Sequence, residues 1–279
     1  MQPHMSLASI HRLFKYAVYL LLTANVFIFF AEEYAAAQHQ FTNGVAVGQL
    51  INAYAATIDT AAWVILLLMF ELETAVLSDE QFTKPVSLAL HALRIFCYSF
   101  IVYAFYGYLV NLEFSVAAVV VPGLSDVCAL VADQWAYAVD LDEYETLTTG
   151  NCASMSAANT FYRFPEMKAV VDATGLTEII RLAWVDVINA ATWLLVVLVL
   201  EADVRLQEHN RLEGLIFRLS NGAKFVLYSI LLLAAIYWGI KGDFVDFWDA
   251  FLWLVAFVFI ELNIFEWRQE DQAASTRPA

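Results

Sequence analysis

Charged residues are scarce in this chain: Asp, Glu, Lys and Arg make up 15 % of 279 residues, against about 25 % in soluble domains. Hydrophobic residues reach 61 %, well above the usual figure of about 45–50 %. An ordinary soluble domain is excluded. Basic residues are fewer still, 14 against 29 acids for a net charge of −15, so no phosphate-binding surface is expected and nucleic acid is not a partner. The sequence also lacks a "GxxxxGK" run, a "GxSxG" turn and an "HExxH" pair, which removes the usual nucleotide, serine-hydrolase and zinc-protease chemistries. Its five histidines, His4, His11, His39, His91 and His209, sit at span ends or in loops, where no pair can hold a haem inside a membrane. No cofactor or metal is expected, and enzymatic work is not: carboxylates alone can move protons, but no nucleophile stands beside them.

What the chain does have is apolar length. Six runs, about 13–31, 51–70, 93–112, 179–200, 223–240 and 247–265, approach the roughly 20 helical residues that cross about 30 Å of hydrocarbon. The expected fold is an all-α integral membrane protein of six transmembrane helices in contact with the lipid bilayer. Placing the N-terminus in the cytoplasm puts Arg12, Lys15, Lys84, Arg94, Arg205, Arg211, Arg218, Lys224, Arg268 and Arg277 inside, and leaves Arg163, Lys168, Arg181 and Lys241 outside. That asymmetry fits the positive-inside rule. Both termini are then cytoplasmic in a cell inner (plasma) membrane, and the segment 113–178 is extracytoplasmic. The basic start and small-residue exit of the first run also resemble a cleavable signal, yet Lys15 and Tyr19 belong to a repeat that a removed segment has no reason to share.

Segment 113–178 holds Asp126, Asp133, Asp140, Asp142, Glu143, Glu145, Glu166 and Asp172. It is expected to be a solvated acidic loop that gathers cations or docks a protein partner. Within it "DLDEYE" (140–145) lacks the glycine and closing bidentate Glu of a calcium loop. Cys128 and Cys152 lie in the same loop and are expected to form a disulfide in an oxidising compartment; Cys97 lies in the third run as a packing residue.

The even-numbered runs align without gaps as "DTAAWVILLLMFELE" (59–73), "NAATWLLVVLVLEAD" (189–203) and "DAFLWLVAFVFIELN" (249–263). Their shared frame is Asp or Asn, three residues, Trp, seven residues, Glu, one residue, and Glu, Asp or Asn. The odd-numbered runs share "KYAVY" (15–19), "RIFCY" (94–98) and "KFVLY" (224–228). Two alternating motifs, each seen three times, predict three helical hairpins, 1–85, 86–210 and 211–279, related by a pseudo-threefold axis. The count of repeats resembles the mitochondrial carriers, but no proline falls inside an odd-numbered run, and the proline-centred signature of that family is absent.

Twelve residues from Asp59 to Glu71 span roughly 18 Å of helix, so the two acids of each frame form separate layers. One layer is Asp59, Asn189 and Asp249 with Asp186 and Asp246, expected inside the outer half of the membrane. About 40° separates Asp59 from Trp63 around the helix, and an acid at that depth faces the bundle interior. The layer reads either as interhelical hydrogen bonds or as an ion pathway for cations or protons. Trp63, Trp193 and Trp253 follow one turn below as core packing or as a constriction. The inner charged layer pairs Glu71, Glu201 and Glu261 with Lys15, Arg94 and Lys224, as depth-fixing ion pairs or as a gate. Two functions are carried forward: a channel or transporter for cations or protons, and a non-transporting membrane subunit that docks a partner through its outer segment.

Overall fold

The computed structural model of the chain describes residues 7–41, 44–77, 81, 83–158, 160–165, 167–208 and 214–257. It is mostly helical, in the order α1 (Leu7–Gln40), α2 (Leu50–Ala53), α3 (Ala55–Glu71), α4 (Lys84–Val116), α5 (Cys152–Met155), α6 (Ala173–Glu208) and α7 (Gly214–Lys241), followed by α8 at 244–257. Of these α1, α3, α4, α6 and α7 are long and apolar enough to cross a membrane. The sixth expected span begins in α8, and its remainder up to 265 lies outside the described residues. With 34, 33 and 36 residues, α1, α4 and α6 each extend about 50 Å, some 20 Å beyond the apolar layer.

The chain divides into two compact units, Val26–Leu198 and the pair Met1–Asn25 with Val199–Ala279. In the first unit, the end of α4 leans on the start of α6 through Leu112, Ala183 and Val187, all buried. Between those two helices the chain builds a five-stranded sheet, which corrects the all-α expectation. The strands are β1 (Val119–Val120), β2 (Ala136–Ala138), β3 (Tyr144–Thr146), β4 (Phe161–Arg163) and β5 (Ala169–Asp172), in spatial order β1-β4-β5-β2-β3. Only the β2/β5 pair is parallel.

Side-chain alternation gives this sheet two covered faces. On one face Ala136, Ala138, Ala169 and Val171 pack with Phe164, Met167 and, from α6, Ile179; Phe114 of α4 joins them and stacks on Phe164 at 5.6 Å. On the other face Val170 and Phe161 pack with Val127, Leu147 and Cys152. That second face is closed by the 3₁₀ turn Val127–Asp133 and α5, joined by the Cys128–Cys152 disulfide. The expected solvated loop is therefore a folded domain resting on helix extensions. Acids around "DLDEYE" form the turn between β2 and β3, where the Val139 and Asp140 N–H groups both donate to the Glu143 carbonyl.

The end of α1 reaches the same domain. His39 stacks on Tyr144 at 5.7 Å, and Gln40 Nε2 donates to the Tyr144 hydroxyl. Burial pushes the Tyr144 phenol above its ordinary range. Deeper in the unit α4 passes close to the α2–α3 corner: a Cβ on Gly107 would lie 2.9 Å from the Ile51 carbonyl oxygen and 3.1 Å from Ala55 Cβ. Only glycine fits a backbone approach that close.

In the second unit α7 buries Leu227, Leu231, Ala234, Ala235 and Trp238, a stripe with helical spacing. Tyr228 of α7 lies against Phe257 of α8 with ring centroids 6.5 Å apart. Near the other end a Cβ on Gly239 would meet the Phe247 ring at 3.2 Å.

Candidate functional site

The α-helix leaves its first N–H groups without partners, and in an apolar medium each needs an acceptor. The three helices that carry the Trp frame all receive a carboxylate at that end. Asp172 precedes α6 and accepts from the Gly175 N–H at 2.7 Å. Asp243 precedes α8 and accepts from the Asp246 N–H at 3.3 Å. For α3 the acceptor comes from another helix: Glu33 of α1 takes the Ala56 and Thr57 N–H groups at 2.8 and 3.0 Å and the Thr57 hydroxyl at 2.6 Å. Sequence reasoning missed Glu33, because its partner is 24 residues away and no local spacing signals it. The helix N-terminus supplies the positive field that a carboxylate needs there.

The Trp frame has a direct physical basis in α8. Asp249 lies four residues before Trp253, one turn along the helix, and its carboxylate is hydrogen-bonded by the Trp253 side chain. A second donor arrives from α1: Asn25 Nδ2 lies 2.8 Å from Asp249 Oδ1. Asn25 is 1 % exposed and was also missed, since the same register in the other odd-numbered spans holds Ala104 and Ala234. Both of those alanines are buried, so Asn25 is the polar member of an otherwise small and apolar set.

Trp63, Trp193 and Trp253 are all buried. Trp63 and Trp193 touch, with centroids 6.0 Å apart; Trp253 lies 6.4 Å from Phe257. Asp59, Asp186 and Asp246 are half-buried, and none of them stands without a partner. Asn189 differs: its Oδ1 is buried and has no hydrogen-bond partner among the described residues.

At the opposite ends of these helices, basic residues meet the last acid of the frame, two residues beyond Glu71 and Glu201. Arg94 Nη2 donates to both oxygens of Glu73 at 3.0 and 2.8 Å, and Lys224 Nζ lies 3.2 Å from Asp203 Oδ2. Glu73 belongs to a π-turn, Leu72–Val76, that continues α3. In both pairs the base follows its acid by 21 positions, so each ion pair ties the end of one span to the start of the next. Glu71, Glu201 and Lys15 have partners of their own, and Glu261 lies outside the described residues.

No protein-family description, curated protein or solved structure matches the chain. Function is therefore argued from the chemistry of these groups.

Proposed function

We propose that this chain is a multi-pass membrane protein that provides a cation or proton pathway, with Asp249 as its central group. One observation carries the reading. An ionised carboxylate in an apolar span needs a compensating partner, because leaving it alone costs at least about 3 kcal/mol. Glu73 and Asp203 have basic partners, and Glu33 has a helix N-terminus. Asp249 has only the neutral donors Asn25 and Trp253 among the described residues. A proton or a cation is what balances such a group. Asn189, at the same place in the frame of its own helix, likewise holds a buried oxygen with no donor among the described residues. In this reading the chain forms six spans in three hairpins of common pattern, with both termini cytoplasmic.

Proteoliposome flux tests it. A flux of protons or of cations is expected from the parent protein and is expected to vanish when Asp59→Asn is combined with Asp249→Asn. A folded parent that conducts nothing, across several cations and both voltage signs, rejects the pathway.

A second reading is favoured by the sheet domain. Residues 119–172 carry eight acids against two bases on a fold with two cores of its own, which suits docking of a cationic partner protein. Copurification of a basic partner from native membrane, lost when Asp140, Asp142 and Glu143 are neutralised, is the outcome expected from this role.

A further inference from the structure

We infer that the species taken up at Asp249 is a proton and not a metal cation, an inference that rests on the pathway reading above. Hard cations require several oxygen ligands converging on one point. Among the described residues, what converges on Asp249 is two N–H donors, the Asn25 amide at 2.8 Å and the Trp253 side chain. Their hydrogens present positive dipole ends to the space around the carboxylate, which repels a metal ion. A position for one proton remains, because an ionised carboxylate offers about four lone-pair positions and two donors occupy only part of them. Among the described residues no group of three or more His, Cys, Asp or Glu side chains is placed to hold a metal.

Position along α1 suits a group open to each side in turn. Asn25 lies ten residues beyond Lys15 and fifteen before Gln40, or roughly 15 and 22 Å along α1. Its partner therefore sits near the middle of the α1 span, Arg12–Gln40. A single carboxyl at that level can exchange with either side if water reaches it from each in turn. The step balances simply: hydronium gives up a proton, an O–H bond forms on a free Asp249 oxygen, and that bond breaks again to release the proton to water on the far side. No electron moves, and the site alternates between anionic and neutral.

Among the described residues the titratable and charged groups around Asp249 are few. Asn25 is the contact from α1; the next titratable side chains along that helix are Tyr19 on one side and Glu32 and Glu33 on the other. Before Asp249 the acids are Asp246 on α8 and Asp243 just ahead of it, the latter engaged as the helix cap. From α7, Lys224 is held by Asp203, and Tyr228 lies against Phe257.

Two measurements on the full chain in liposomes test the assignment: proton flux, by a trapped pH-sensitive dye, against sodium and potassium flux at matched voltage; and infrared difference spectra of the protonated carboxyl C=O stretch across pH. Expected results are a tenfold or greater loss of proton flux in Asp249→Asn, recovery in Asp249→Glu, and a pH-dependent carboxyl band that Asp249→Asn removes. Sodium or potassium flux that depends on Asp249, with no carboxyl band lost in the variant, overturns the proton. The band lost without any flux in the parent supports the proton-binding group and sinks the pathway instead. Asn25→Ala supplies a second test should Asp249→Asn fail to fold: with one donor removed, the pH at which the band appears must shift, and an unmoved midpoint overturns the assignment.

Discussion

Asp126 accepts the Cys128 N–H and the Ser156 hydroxyl, each at 2.8 Å. These bonds favour its ionised form and hold its carboxyl below the ordinary range. A folded-state pKa below the unfolded one of about 3.9 contributes stability in full above the unfolded value and loses it as pH falls through the folded value. The side chain is exposed, so the effect is local: hydrogen-exchange protection of 126–133 should weaken as pH drops below about 4, and Asp126→Asn should flatten that dependence. Equal pH profiles in parent and variant would show that the carboxylate does not hold the turn. Single residues were also where the sequence was hardest to read. Asp249 stood out because it recurs in register with Asp59 and Asn189, whereas Asn25 and Glu33 do not recur. A search for period discards the residue that breaks the period, and Asn25 breaks a set of buried alanines.

At the scale of elements, the two ion pairs clamp consecutive spans across the same 21-residue spacing. Their environments differ enough to rank them. The side chains of Lys224 and Asp203 are 12 % and 5 % exposed, against 32 % and 20 % for Arg94 and Glu73. Removing the base from the more buried pair leaves an uncompensated carboxylate, which costs about 3–5 kcal/mol; the more exposed pair is worth less because water screens it. Lys224→Met should therefore lower thermal stability in detergent far more than Arg94→Met, and Asp203→Asn added to Lys224→Met should recover a good part of the loss. Additive losses in the double variant would mean that the two residues do not act as a pair. The clamp was half legible: both bases and the acid frame recur, but choosing between acids two residues apart depends on helix rotation and, at Glu73, on a π-turn that periodicity does not encode.

For the molecule as a whole, six apolar runs predict spanning helices, and five helices among the described residues are long and apolar enough to span. The sheet stayed hidden because its strands are two to four residues long, and segments so short carry little alternation to detect. Charge misled as well, since the acids of 140–145 line a turn and its edge while Val170, Val171 and Phe161 supply the core. One face of this domain packs on Phe114 and Ile179, which belong to the helices; the other depends on the Cys128–Cys152 staple, whose residues are 24 apart. Closing a loop of that length removes unfolded-state entropy worth about 3.5 kcal/mol, a large share of what so small a core can supply. Replacing both cysteines by serine should therefore release the stapled face first. Proteolysis at 122–135 and 147–160 is expected to rise at least tenfold, while cleavage near the α4–α6 contact, held by Leu112, Ala183 and Val187, stays at the parent level. Simultaneous loss of protection at both places would show instead that the sheet and the spans beneath it unfold as one cooperative unit, with the disulfide stabilising the membrane helices themselves.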